Sequence, residues 1–267
     1  MKDIYYINSQ NDKLDLLSPP YMLQTGDIFD YSWNYDKGGF TRDTAEKTLL
    51  LSILNSGRQK YYEAIDHFAE VTEIDVLEKR PGRLYVGEFY LKCNIHASTK
   101  SEWENDIELL DNEIALVTDH PFWIREHPHL FKASEVTSTN NKRYPGRYAY
   151  RYANGLNNTK LVNPHYAEAN FILRIYGPCV KPSVYIGGYE YHVEIILEAG
   201  EYLEIDSTEE TVTKIMLSGI RVNSFHYRSF ANSIFRPIPP GEQDVSWDGS
   251  FDFDLILFEE RSEPRWS

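Results

Sequence analysis

The chain has 267 residues, 42% of them hydrophobic and 25% charged, which suits one large or two ordinary globular domains and excludes a disordered or membrane-like composition. Its net charge of −14 divides into −9 up to Lys142 and −5 beyond it, so neither half has the electrostatic footprint of a sequence-specific nucleic-acid binder or of an anionic-membrane binder. Two cysteines, Cys93 and Cys179, are too few for a disulfide framework or a Cys-based zinc site.

Twenty Tyr and thirteen Phe favour pleated, half-buried surfaces and hence β structure. Ile4 to Tyr35 reads as short extended segments broken at Ser18-Pro19-Pro20 and Thr25-Gly26-Asp27, followed by a turn at Lys37-Gly38-Gly39. The apolar run within Thr44–Leu54 has the length of a buried strand and closes at Asn55-Ser56-Gly57. Gln59 to Thr72 is the one predicted helix. Tyr61, Tyr62, Ile65, Phe68, Ala69 and Thr72 recur at helical steps, and Arg80-Pro81-Gly82 bars any extension beyond it.

Arg83 to His96 alternates, with Phe89, Leu91, Cys93 and Ile95 on one face, so Cys93 is expected as a buried thiol. Ala97–Ser101 is read as a turn, and the alternation resumes through Trp103, Ile107 and Leu109. It slips at Leu110-Asp111-Asn112, where a bulge is expected, and recovers with Ile114 and Leu116. The result is a hairpin with arms of about 14 residues, about 45 Å at roughly 3.3 Å per residue. Arms that long outrun an ordinary domain core, so Leu84, Val86, Phe89, Leu91, Ile114 and Leu116 are expected at an interface with another copy.

His127 to Arg147, with Pro128, the Ser134–Asn141 polar run and Pro145-Gly146, reads as a linker region. The expected division is 1–130, a linker at 131–147, and 148–267. In the last part, Phe171–Tyr176 alternates, and Gly187-Gly188 joins Val184–Ile186 to Tyr189–Leu197. Asp248-Gly249 joins Val245–Trp247 to Phe251–Phe258. Short strands with turn signals between them predict a β-sandwich.

Chemistry-bearing motifs are sparse. The chain holds no Gly-x-Ser-x-Gly elbow, His-Glu-x-x-His pair or phosphate-cradling loop, and no enzyme activity, cofactor or metal is expected. His120, His127 and His129 could be read as zinc ligands or as a solvated loop beside Pro121 and Pro128; the geometry zinc demands favours the loop. Glu102, Glu104, Asp106 and Glu108 read as a solvated face or channel lining before an acid–base pair. Tyr144, Tyr148, Tyr150 and Tyr152 read as a strand face or as a sugar-stacking strip. Met1-Lys2-Asp3 leads into mixed polar sequence and no apolar run reaches the length of a membrane span, so cytoplasmic synthesis and no membrane partner are expected.

Four stretches resemble the distal tail protein family of long-tailed phages and prophages of Gram-positive bacteria. They are Tyr5-Tyr6-Ile7-Asn8 through Thr25-Gly26-Asp27, the helix with Gly82-Arg83-Leu84-Tyr85-Val86-Gly87, Leu116-Val117-Thr118-Asp119-His120-Pro121-Phe122-Trp123, and Tyr148-Ala149-Tyr150-Arg151-Tyr152 to Trp266. The resemblance implies a mainly β fold with one helix. Its N-terminal domain would form a ring and carry the long hairpin, and a galectin-like β-sandwich would follow. It further implies a virion structural protein at the tail tip, a homo-hexameric ring of the baseplate that meets the tail tube protein and the tail-associated hub protein. A carbohydrate-binding module gripping host cell-wall glycans is the alternative reading.

Overall fold

The computed structural model describes residues 3–104, 108–133 and 157–265. Among the described residues it is mainly β with a single α-helix, in two compact units: residues 1–125 with 260–267, and residues 126–259. The predicted linker lies from residue 134 onward outside the described residues. Its expected start is different: His127 to Phe131 belong to a strand.

The first unit is built on β1 (Ile4–Ile7), β2 (Lys13–Asp15), β3 (Leu17–Ser18), β4 (Tyr21–Gly26), β5 (Asn34–Asp36), β6 (Gly39–Thr41) and β7 (Ala45–Leu54). Helix α1 (Arg58–Glu78), β8 (Gly82–Val86), β9 (Phe89–Glu104) and β10 (Leu109–Thr118) follow, and β11 (Trp123–Phe131) starts here and runs on into the second unit. The antiparallel order is β2-β1-β8-β9-β10-β7-β4-β3. The β5–β6 hairpin pairs only with itself among the described residues.

Helix α1 covers one face of this sheet. Gly57 (φ 99°) precedes it, and Lys79 in the left-handed conformation ends it just before Arg80-Pro81. Its buried face is Tyr61, Ala64, Phe68, Val71, Thr72 and Asp75, turned from the predicted one; Tyr62 and Ala69 are exposed. Burying side chains such as Phe68 and Val71 contributes about 1.5–3 kcal/mol each. A carboxylate at the sixth position is tolerated because donors meet it, as shown below.

The predicted hairpin exists with a different turn. Residues 97–101 continue β9, whose pairing with β10 runs out to Glu104 opposite Leu109. Two residues of β9, His96 and Ser101, have no partner in β10; the register shifts at Ala115/Leu116 and Asp111/Asn112 absorb them as bulges. Within β10 the alternation never slips. Leu110, Asn112, Ile114, Leu116 and Thr118 all point inward, and the Ser98 hydroxyl bonds the Asn112 side chain at 2.8 Å.

The second unit is a β-sandwich. One sheet contains β13 (Phe171–Tyr176), β18 (Tyr202–Asp206), β19 (Thr211–Ile215), β20 (Arg221–Asn223) and β22 (Phe253–Arg261), in the order β20-β19-β18-β13-β22-β11. The other is β12-β21-β15-β16, from Asn157–Asn163, Gly241–Trp247, Ser183–Ile186 and Tyr189–His192, and a short pair joins β14 (Cys179–Val180) to β17 (Ile196–Leu197). Leu173, Ile205 and Leu255 from the first sheet share one core with Leu161, Val184, Tyr191 and Trp247 from the second. Of the predicted face Tyr189, Tyr191, Val193, Ile195 and Leu197, the last four are buried and Tyr189 is half-buried against the same core, and Phe251, Phe253, Leu255 and Leu257 point inward on the other run.

Candidate functional site

The six residues expected at an interface lie in the core of their own unit. Leu84, Val86, Phe89, Leu91, Ile114 and Leu116 are each at most 4% exposed. Leu84 sits opposite Leu91 and Val86 opposite Phe89, while Ile114 faces Leu49 across β7. The physical reason is that β10 is flanked along its whole length, by β9 on one side and β7 on the other. These residues fix the hairpin in its sheet, so any contact with another copy must use outward side chains. The side chains of Glu102 and Glu104, and Asp106 altogether, lie outside the described residues, as do Tyr144, Tyr148, Tyr150 and Tyr152. Glu108 accepts a hydrogen bond from the Gly57 amide at 2.8 Å.

Beneath α1 lies a buried polar site that the sequence reading missed. Asp75 is fully buried; its carboxylate accepts the Tyr6 hydroxyl and, at 2.6 Å, the Ser9 amide. Burial drives the Tyr6 phenol far above its ordinary range, with Cys93 and the Asp75 carboxylate adding to the shift. Gly82 passes so close that a Cβ there would collide with the Tyr6 hydroxyl and the Asp75 carboxylate. This arrangement pins β1, α1 and β8 together. The missed signal was Asp75 falling in helical step with Tyr61, Phe68 and Thr72.

The three histidines do not converge. In the first unit the His120 Nε2–H faces Glu260 at 3.0 Å. In the second, the His127 Nε2–H faces Glu259 at 3.0 Å, where Glu259 is 1% exposed. The Nε2 atom of His129 is buried without a hydrogen-bond partner, and burial, then the neighbouring His127, lowers its pKa. Among the described residues no group of three or more His, Cys, Asp or Glu is placed to hold a metal.

What the first unit offers outward is aromatic. Tyr31, Trp33, Tyr35 and Phe40 are all exposed, Tyr35 by 73%. Tyr35 and Phe40 are cross-strand partners on the β5–β6 hairpin with ring centroids 5.0 Å apart. The Arg42 guanidinium lies 4.8 Å from the Phe122 ring, 5.5 Å from Trp33 and 5.7 Å from Tyr31, and one of its terminal nitrogens is buried without a hydrogen-bond partner. A lone two-stranded hairpin is marginally stable in water, so this surface gains from being covered.

This combination of a helix-backed β unit and a β-sandwich is the fold of phage baseplate and hub proteins. A chain of the phage p2 baseplate in its activated conformation with calcium matches at TM-score 0.64 and 13% identity, covering 98% of this chain and 99% of that one. The same baseplate with strontium gives 0.65 and 14% over 99% and 100%. The SPP1 Dit protein, described as a paradigm of the hub adsorption apparatus in phages infecting Gram-positive bacteria, gives 0.56 and 9% over 97% and 99%. No protein-family model matches the chain, and no curated protein does. Identities this low establish the fold, and function has to be argued from surfaces.

Proposed function

We propose that this chain is a distal tail protein of a phage or prophage, a structural subunit of the virion tail tip. The observation that carries the reading is fold similarity over nearly the full length of both chains, with both units included. Six copies form a ring through the first unit, joining the tail tube to the tail-associated hub protein, and the second unit is a galectin-like sandwich facing outward. Assembly, not catalysis, is its work, and synthesis in the host cytoplasm precedes it. The ring contact falls on outward residues such as the exposed aromatics around Arg42, because the hairpin's aliphatic residues are already used in the core. A heterologous contact of this kind closes after a fixed number of copies.

Light scattering after size-exclusion chromatography at high micromolar concentration, with negative-stain imaging, tests this. Six-fold rings are expected; a compact monomer under all conditions overturns the self-sufficient ring. The glycan-binding alternative is tested by applying the intact protein to a cell-wall glycan array.

A further inference from the structure

Thr211 to Gly241 contains no Asp or Glu, although the chain has 41 acidic residues among 267. An even distribution would place about five there. The same stretch carries Lys214, Arg221, Arg228 and Arg236, so it is +4 within a chain of −14 and the remaining residues carry −18.

Its geometry makes it a surface. Strand β20 is the outer strand of its sheet, bonded only to β19 among the described residues. The turn before it, closed by the Met216 amide on the Ile220 carbonyl at 3.0 Å, holds Leu217 79% and Ile220 59% exposed. Beyond it Phe230 is 80% exposed, and the Arg228 guanidinium lies between the Phe225 and Phe230 rings, 3.8 and 4.7 Å from their centroids. Lys214 and Arg221 pair with Glu201 and Glu204. Arg228 and Arg236, the latter stacked over Tyr189, have no described carboxylate as an ion-pair partner. The strip therefore joins unneutralised cations to large exposed apolar side chains. A polyanionic glycan would satisfy the cations and leave the aliphatic groups wet, so an acidic protein surface with apolar anchors fits better.

The chain itself carries such a surface. From Glu63 to Glu78 helix α1 has no Lys or Arg, and Glu63, Asp66, Glu70, Glu73 and Glu78 are exposed, alongside Val76 and the 75% exposed Leu77. Beside them runs a groove of about 280 Å³ lined by Ile65, Ala69, Glu73, Val76 and Leu110, with Lys100 and His96 on its wall. We infer that the basic apolar strip around Arg228 in the second unit docks onto the acidic face and groove of α1 in a second copy of this chain. Each copy then offers the strip to one neighbour and the helix to another, a head-to-tail contact of the kind a ring requires. The inference rests on the ring reading and adds to the contact between first units a second one, from the second unit of one copy to α1 of the next.

Charge exchange tests it on the full chain. Arg228→Glu/Arg236→Glu and Glu70→Arg/Glu73→Arg are made separately, and sedimentation velocity measures self-association at about 0.1 M salt. Each variant alone is expected to weaken association at least about tenfold, and an equimolar mixture to recover part of it, because the new carboxylates at 228 and 236 then meet the new guanidinium groups at 70 and 73. Leu217→Ser/Phe230→Ser, at side chains nearly free of the fold, should weaken association without altering charge. Circular dichroism and melting temperature verify folding. If every variant associates like the wild type, the strip does not meet α1 and the inference falls while the ring stands. A wild-type chain that stays monomeric overturns both.

Discussion

Replacing Tyr6 by Phe removes one oxygen and leaves every apolar contact in place, so it isolates the hydroxyl's bond to Asp75. That carboxylate is fully buried and keeps the Ser9 amide at 2.6 Å as a second donor. Losing a bond to a buried charged group costs about 1.5–3 kcal/mol. For a unit of this size that lowers the melting temperature by about 5–10 °C. The pH dependence provides a second, independent reading. Folding raises the Tyr6 pKa, chiefly through burial. Stability from Tyr6 is thus fully present below the ordinary tyrosine value of about 10 and is lost as pH climbs above it, by about 1.4 kcal/mol per pH unit. Tyr21, Tyr176 and Tyr191 are also raised by burial and lose stability in the same direction. Tyr6→Phe should therefore lessen the alkaline slope without abolishing it. Urea unfolding at pH 7 and between pH 9.5 and 11 measures both effects. A variant within 0.5 kcal/mol of wild type at pH 7 and with an unchanged alkaline slope would refute the view that Asp75 depends on this hydroxyl.

Three further outcomes are expected. Gly82→Ala, whose Cβ meets both Tyr6 and Asp75, should cost about 2–4 kcal/mol in urea unfolding, since neither neighbour can withdraw from an interior site. Burial pushes the Cys93 thiol up to about 12 and the Cys179 thiol up to about 11, so a thiolate-directed reagent at pH 8 should label neither in the native protein and both in denaturant. His127→Ala should destabilise the second unit by about 1–3 kcal/mol, because Glu259 beside it is buried. His120→Ala should cost the first unit less, since Glu260 retains 19% exposure; thermal melts of the two variants compare them.

Much of the fold was legible wherever strict alternation met a clear turn. Phe171–Tyr176 and the inward set Phe251, Phe253, Leu255 and Leu257 read correctly because side chains on a strand alternate with period two, and the run expected as one strand from Tyr189 to Leu197 keeps its alternation although it breaks into Tyr189–His192 and Ile196–Leu197. Ala97–Ser101 read as a turn because its residues are small and polar, yet a strand can keep such residues when bulges absorb the extra ones at His96 and Ser101. The face of α1 was misplaced because burying Asp75 depends on Tyr6, 69 residues away, which no local periodicity reports. The six residues expected at an interface are buried within their own unit for a more general reason. An apolar stripe on a strand looks the same whether its own subunit or a neighbour covers it, and here β7, β10 and α1 cover it.

Salt separates the two ways in which copies of so acidic a chain could meet. If association buried only neutral aromatic surface such as Tyr35 and Phe40, the net −14 on each copy would oppose it at long range, and adding salt would strengthen it. If the +4 strip meets the acidic face of α1, local attraction dominates at contact distance. Raising salt from about 0.1 M to about 1 M, which shortens the screening length from about 10 Å to about 3 Å, then weakens association. Fluorinated alcohols or urea would disturb both cases alike, so the sign of the salt effect is the discriminating quantity. Measured by sedimentation across that range, weakening is expected for the wild type. The Arg228→Glu/Arg236→Glu variant should show the opposite sign, because its strip has lost its positive charge and the repulsion between acidic copies is no longer offset. A wild type that associates more tightly at 1 M salt would mean that apolar burial alone brings copies together, with the acid-free stretch left facing solvent.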